Sequence, residues 1–169
     1  MTGVTIRPLT AGDAPAVLAL YRAVAAVPGN GLARLPPEYK LGYFVDLLAQ
    51  APAAVLSLGA FVGGVLAGEI HCAAMGPRQF AHVLTDLTVA VSPDFQGRGI
   101  GGSLFERLFA AARGREPPVR RIELVARSGN HGAIALYQRL GFEVEGCFKS
   151  RVALPDGTIE DDIPMAKRL

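Results

Sequence analysis

The 169-residue sequence contains little charge and only two cysteines. Charged residues make up 19% of the chain and leave a formal net charge of +2, too little for a surface that binds nucleic acid. Cys72 and Cys147 lack metal-ligand spacing and predict neither a metal site nor a disulfide framework. The first residues lack the basic start followed by an apolar run that is typical of a secretory signal peptide. We therefore expect a cytoplasmic protein that acts on small molecules without a metal.

One stretch, residues 47–68, has no charged residue and is long enough on paper to span a bilayer. It contains Gln50 and Pro52, however, and the dipeptide Gly63-Gly64 lies between apolar β-forming residues. Glycine accepts the positive φ of a tight hairpin turn. The pattern therefore predicts two apolar strands joined at this dipeptide, and no membrane partner.

The remaining pattern predicts one domain over residues 1–169 that contains both helices and strands. Helices are predicted near residues 13–25, 38–50, 101–113 and 130–141. Strands are predicted near residues 4–7, 53–62, 65–75, 82–91, 121–126, 142–151 and 158–166. This order favours an α/β fold with a mixed sheet of six to seven strands and helices on its faces.

A glycine-rich turn joins the strand near residues 82–91 to the helix that follows it. It reads Gln96-Gly97-Arg98-Gly99-Ile100-Gly101-Gly102-Ser103. Glycines allow a ligand to approach the backbone, and the first amides of a helix have no acceptor within that helix. An anionic group can accept hydrogen bonds from these amides, so the turn predicts a phosphate-binding site.

Two nucleotide-binding motifs compete with this interpretation. Gly97, Gly99 and Gly102 also fit the dinucleotide fingerprint of nicotinamide oxidoreductases, with Glu123 at a suitable distance to hold a ribose. In that fold the first glycine follows its strand almost directly, whereas residues 92–96 intervene here. The triphosphate-binding loop is excluded because no Gly-Lys-Ser/Thr closes the turn.

A second motif, Asn130-x-x-Ala133-x-x-x-Tyr137-x-x-x-Gly141-Phe142, follows the next predicted strand. Together with Gln96-x-x-Gly99-x-Gly101, it resembles the GNAT acetyltransferases, which transfer an acetyl group from acetyl-CoA to an amine. The resemblance extends from about Gly64 to the end of the chain. It implies a GNAT-like, mostly antiparallel sheet with about four helices on its faces, and acetyl-CoA as co-substrate.

The resemblance also assigns the residues that would bind acetyl-CoA. Strand residues Val89 and Val91 would pair with the pantetheine arm, and Asn130, Ala133 and Tyr137 would contact the cofactor from one helix face. The pyrophosphate would be held by the glycine-rich turn, namely by Gln96, Gly97, Arg98, Gly99, Gly101, Gly102 and Ser103.

The resemblance makes Tyr137 the general acid that protonates the departing thiolate. The attacking amine must be neutral, so a base near the thioester carbonyl must accept its proton, directly or through water. Asp86 and Glu69 are the candidates, because an acid within an apolar strand is costly unless it is partnered or faces a cavity. Alternatively, either carboxylate binds the ammonium while water takes the proton. We interpret His71 and the other histidines, His82 and His131, as structural or solvated.

In detail, residues 77–83 and 141–157 are most similar to those of small bacterial GNAT enzymes that acetylate the α-amine of free amino acids. The resemblance therefore implies the α-amine of a free amino acid or a similar small molecule as the acceptor. Protein N-termini, polyamines and antibiotics remain alternatives, as does a sensor that binds acyl-CoA without turnover. Residues 28–42, with Tyr39, Tyr43 and Phe44 in or near them, are expected to shape the acceptor pocket, and the C-terminal strands could form a homodimer.

Overall fold

The computed structural model describes residues 3–169. Its helices are α1 (Ala14–Ala25), α2 (Leu41–Ala49), α3 (Ile100–Arg113) and α4 (His131–Arg139). Its strands are β1 (Val4–Pro8), β2 (Val55–Val62), β3 (Val65–Ala74), β4 (Val83–Val91), β5 (Arg121–Arg127), β6 (Glu143–Val144), β7 (Phe148–Ala153) and β8 (Ile159–Arg168). The predicted α/β class and its four helices are confirmed.

All strands belong to one sheet in the order β1-β2-β3-β4-β5-β8, with β6 and β7 both paired to β8. Every pairing is antiparallel except that of β4 with β5. The sheet has eight strands instead of six or seven, because the strand predicted over residues 142–151 is interrupted between Val144 and Phe148. The interruption contains Gly146, which has no side chain to pack on the sheet.

The charge-free stretch forms the predicted hairpin between β2 and β3. Gly63 and Gly64 have φ angles of +56° and +84°, and Val62 pairs with Val65 across the turn. Within residues 3–169, no helix is long and apolar enough to cross a membrane.

The two faces of the sheet carry separate apolar cores. On one face, α3 contributes Phe105 and Leu108, which pack with Phe142 and the apolar residues of β3, β4 and β5. On the other face, α1 and α2 contribute Tyr21 and Phe44. Successive residues of the central strands therefore point to opposite faces of the sheet, and both faces are buried, as expected of a sheet between two helical layers.

The sheet opens between β4 and β5. These parallel strands pair only at Val83 with Arg121 and at Leu84 with Ile122, and then separate. The edge of β4 from residue 86 to residue 91 consequently has β3 on one side and no strand on the other. Backbone groups along this edge are free to bind a ligand.

Candidate active site

A cavity of about 630 Å³ occupies the opening between β4 and β5. Its walls come from residues 87–91 of β4, Val125 and Ala126 of β5, one face of α4, and the loop that follows α1. The predicted pantetheine-binding residues Val89 and Val91 both line it. The cavity thus includes the part of β4 that lacks a partner strand.

The glycine-rich turn leads from β4 into α3, and Gln96 of this turn lines the cavity, whereas residues 97–103 do not. Gly97 and Gly99 have φ angles of +73° and +77°, which other residues adopt only with strain. The first amide bonded within the helix is that of Ser103, which donates to the Gly99 carbonyl at 3.1 Å. The amides of the preceding helical residues, Gly101 and Gly102 among them, therefore have no acceptor within α3.

Side chains of the turn are mostly exposed. The Arg98 guanidinium lies 5.2 Å from the centre of the Phe95 ring, where its charge can reach solvent or an anion. Gln96 lines the cavity, and its side-chain amide donates to the Val91 carbonyl at 3.3 Å. The turn thus combines helix-start amides with a cation, as the sequence predicts for a phosphate site.

The predicted stripe of α4 faces one space, since Asn130, Ala133 and Tyr137 all line the cavity. Asn130 is also the N-cap of α4, and its side-chain oxygen accepts the Ala133 amide at 3.3 Å. Asn130 therefore starts the helix and forms part of the cavity wall.

The ring of Tyr137 packs against those of Phe105 and Phe142, with centroid distances of 5.9 and 6.0 Å. Burial raises the pKa of Tyr137, so its hydroxyl stays protonated at neutral pH. Among residues 3–169, no side chain or backbone group accepts a hydrogen bond from this hydroxyl. The proton of Tyr137 is therefore available to a ligand in the cavity.

Asp86 lies away from the large cavity. The β3–β4 ladder contains a bulge at which Asp86 and Leu87 together face Cys72, and Asp86 has a φ of +54°. Its exposed side chain lines a separate depression of about 200 Å³, together with Arg121 and Glu123. The bulge thus separates Asp86 from Tyr137, although both were expected in one site.

Glu69 is fully buried beneath the cavity wall and does not line the cavity. Its carboxylate accepts hydrogen bonds from the Tyr21 hydroxyl at 2.6 Å and from the Ser57 hydroxyl at 2.9 Å. His71 Nδ1 lies 3.1 Å from the same carboxylate. His71 does line the cavity, so it is the imidazole and not the carboxylate that a ligand would meet.

The loop after α1 covers the cavity on the side of α1 and α2. We call residues 27–34 the roof segment, because every one of them lines the cavity. Tyr39 and Tyr43 also line the cavity, whereas Phe44 is fully buried in the core. The expectation that residues 28–42 shape a pocket therefore holds for the roof segment and for Tyr39.

Arg34 brings the one permanent charge to the cavity lining formed by residues 3–169, and no carboxylate side chain lines it. Its guanidinium lies 4.5 Å from the centre of the Tyr43 ring and 6.0 Å from that of Tyr39. Sequence reasoning missed Arg34 because it lies in a loop without periodicity. Sequence reasoning interpreted His71 as structural or solvated, and the structure places it in the cavity lining on the same strand face as Glu69.

The family model described as the acetyltransferase (GNAT) family matches residues 25–142, which include both motifs and most of the cavity lining. The chain belongs to the GNAT family. An acetyltransferase of Pectobacterium atrosepticum is 34% identical over 106 residues, which cover 63% of this chain and 67% of that protein. The matched part covers 52% of the N-alpha-acetyltransferase RimI of Mycobacterium tuberculosis and 24% of an N-acetyltransferase of Methanocaldococcus jannaschii.

Solved GNAT structures match nearly the whole chain. The ribosomal-protein-alanine N-acetyltransferase of Brucella melitensis is 30% identical with a TM-score of 0.81, covering 98% of this chain and 99% of that one. The phosphinothricin acetyltransferase of Sinorhizobium meliloti, solved with acetyl-CoA, has a TM-score of 0.79 at 23% identity and covers 100% and 89%. The predicted GNAT fold is thereby confirmed.

No cluster of three or more His, Cys, Asp or Glu side chains suited to a metal ion occurs within residues 3–169.

Proposed function

We propose that this GNAT protein transfers the acetyl group of acetyl-CoA to the α-amine of a free amino acid or a similar small amine that carries a carboxylate. The observation that carries the proposal is one continuous cavity. Its lining includes the unpaired edge of β4, Gln96 of the glycine-rich turn, Tyr137, and the roof segment with Arg34.

The donor half of the cavity suits a phosphorylated, elongated thioester. Helix-start amides and Arg98 would bind the pyrophosphate, because the N-terminus of α3 favours an anion. Val89 and Val91 lie on the strand edge that lacks a partner, where the amide groups of the pantetheine arm would continue the sheet. Asn130 and Ala133 close this half from α4.

The chemistry at the centre belongs to Tyr137. Attack of a neutral amine on the thioester carbonyl forms a C–N bond and breaks the C–S bond. The Tyr137 hydroxyl, whose pKa is raised by burial and which is therefore protonated near neutral pH, would donate a proton to the departing thiolate. Aromatic packing against Phe105 and Phe142 fixes the ring in place for this transfer.

The acceptor half favours an amine that also bears a negative charge. Arg34 can form a bidentate pair with a carboxylate, and its stacking on Tyr43 limits its conformations. A polyamine or aminoglycoside carries several positive charges, and the lining has no carboxylate side chain to bind them. The charge of the lining therefore supports an amino acid over these acceptors.

A second candidate acceptor is the α-amine at the start of a protein. The similarity to the Brucella ribosomal-protein-alanine N-acetyltransferase favours it. Such an acceptor has a peptide bond where a free amino acid has its carboxylate, so Arg34 would have no ionic partner at that position.

The test is CoA release from acetyl-CoA with matched acceptors: free amino acids, their amides, short peptides that begin with the same residue, and polyamines. Activity on the free acids that exceeds activity on the amides at least tenfold supports the proposal. In Arg34→Gln this preference should disappear, while Arg107→Gln, on the exposed part of α3, should keep it. A preference for the peptides would favour the protein N-terminus, and turnover of polyamines alone would contradict both acceptors.

A further inference from the structure

The acceptor amine must lose a proton before it attacks, and we infer that His71 takes this proton while Glu69 and Tyr21 position the imidazole. The inference rests on the proposed function, because it concerns the base of the same acetyl transfer. It departs from the sequence-based interpretation, which treats His71 as structural and expects a carboxylate to act directly.

Glu69 and His71 lie two residues apart on β3, so both side chains point to the α1 face of the sheet. The two carboxylate oxygens of Glu69 lie 3.2 and 3.1 Å from His71 Nδ1. The hydroxyl of Tyr21 donates to the same carboxylate and lies 3.4 Å from Nδ1. The contacts with Glu69 and Tyr21 therefore hold the imidazole of His71 in one position.

This arrangement determines which ring nitrogen can act. Nδ1 faces an acceptor-only carboxylate, so it carries the hydrogen and donates it to Glu69. In neutral imidazole the lone pair then resides on Nε2. His71 lines the cavity, and Nε2 is the nitrogen left to meet a ligand there.

Glu69 itself cannot meet the amine, because it is 0% exposed and its oxygens already accept hydrogen bonds from Tyr21 and Ser57. Burial, together with the negative charge of Glu69, raises the pKa of Tyr21 well above its ordinary value. Tyr21 consequently remains a hydrogen donor at every pH of interest. Glu69 is a positioning residue that also stabilises the imidazolium formed on His71.

The proton balance closes with His71 and Tyr137 in separate roles. His71 Nε2 takes one proton from the acceptor ammonium and later releases it to solvent. Tyr137 gives its proton to the thiolate as the C–S bond breaks, and the surplus proton on the new amide nitrogen restores Tyr137. One proton is released per acetyl group transferred, as the overall reaction requires.

Two titratable side chains contact His71, namely Glu69 on β3 and Tyr21 on α1. The other titratable or charged side chains that line the same cavity are Arg34 of the roof segment, Tyr39, Tyr43 of α2 and Tyr137 of α4. Burial raises the pKa of Tyr39 as well, so this tyrosine is neutral near pH 7.

The experiment measures kcat/KM against pH for the full chain and for His71→Gln, Glu69→Gln and Asp86→Asn, with His82→Gln as a matched surface control. His82 is exposed, so its replacement should leave the rate unchanged. His71→Gln should lower kcat by about 10²-fold or more with little change in acetyl-CoA affinity. Its pH profile should keep only the limb set by the acceptor amine, and added imidazole should restore part of the rate in His71→Ala.

The outcomes separate the inference from the proposed function. If the wild type turns over an amine and His71→Gln stays within threefold of it, the base role is wrong and the acetyl transfer stands. A larger loss in Asp86→Asn than in His71→Gln would also overturn the inference in favour of Asp86. A wild type that binds acetyl-CoA but acetylates no acceptor would contradict the proposed function, and the base role with it.

Discussion

The guanidinium of Arg127 on β5 donates a hydrogen bond to the backbone carbonyl of Asn30 in the roof segment. Asn30 also organises its own loop, because its side-chain amide donates to the Val27 carbonyl at 2.8 Å and its side-chain oxygen accepts the Leu32 amide at 2.9 Å. The strand on the far side of the cavity therefore holds the roof segment in place.

Replacement of Arg127 by Met should loosen the roof segment. The variant loses the hydrogen bond between the charged guanidinium and the Asn30 carbonyl, and such a loss makes the open conformation of the roof segment roughly tenfold more populated. Trypsin should then cleave after Arg34 roughly tenfold faster in Arg127→Met than in the wild type, as measured by the rate at which the two fragments appear. Arg151→Met, which removes an exposed arginine of β7, is the control. Equal cleavage rates in all three proteins would contradict the tether.

Tyr137→Phe should lower kcat by about 10²-fold, because it removes the proposed general acid and keeps the ring. The aromatic contacts with Phe105 and Phe142 persist in this variant, so thermal stability should change little. Acetyl-CoA affinity, measured by calorimetry, should stay within about twofold, since the hydroxyl acts on the departing thiolate. Unchanged turnover would rule out the acid role.

Gly101→Leu should abolish detectable acetyl-CoA binding in a protein that still folds. A Cβ at Gly101 would lie 3.8 Å from Val91, which leaves room for the fold, but we expect a longer side chain to obstruct the proposed pyrophosphate site. Gly42→Leu is a matched control, since Gly42 is likewise the second residue of its helix and has no atom within 4 Å of a Cβ. Calorimetry should show normal affinity in the control. Normal affinity in Gly101→Leu would contradict the phosphate site.

Asp13 should make the fold more stable above about pH 4 than below it. Arg7 donates to both carboxylate oxygens at 2.9 and 2.7 Å, and these bonds lower the pKa of Asp13 from 3.8 to about 2. The folded pKa lies below the unfolded one, so the stabilisation is complete above the unfolded value and is lost as pH falls through about 2.

Asp13→Asn should accordingly lower the free energy of unfolding by about 1 kcal/mol at pH 7, a modest value because Arg7 is partly exposed. The difference between the two proteins should shrink between pH 4 and pH 2 in urea titrations. Asp46→Asn, at an exposed position of α2, should show no such pH-dependent difference. A difference that is constant with pH would contradict the ion pair as its cause.

Periodic features were predictable from the sequence. The spacing of Asn130, Ala133 and Tyr137 places them on one face of a helix whatever the surrounding fold, and the structure confirms that they line one cavity. The Gly63-Gly64 hairpin is equally local. Such elements depend on neighbours within a few residues, which the sequence shows directly.

The surroundings of the candidate base were not predictable in this way. Strict alternation along β4 predicts that Asp86 lies on the same face as Thr88, which lines the large cavity. The bulge opposite Cys72 breaks this alternation, and the Asp86 side chain lines the smaller depression instead. The orientation of the His71 imidazole is set by the Glu69 carboxylate. That carboxylate is held in turn by hydrogen bonds from Tyr21 and Ser57, which lie on two other elements. These contacts form only when α1 packs on the sheet, and no local pattern encodes them.

Because β4 and β5 separate after two paired residues, the cavity between them can bind a ligand through two kinds of chemical group. A ligand that pairs with the free edge of β4 uses backbone groups, which every residue except proline supplies in full. The roof segment instead presents particular side chains, Arg34 among them. Substitutions in the roof segment could therefore change which amine is acetylated while the thioester partner stays the same, so one scaffold can acquire new acceptors without rebuilding its donor site.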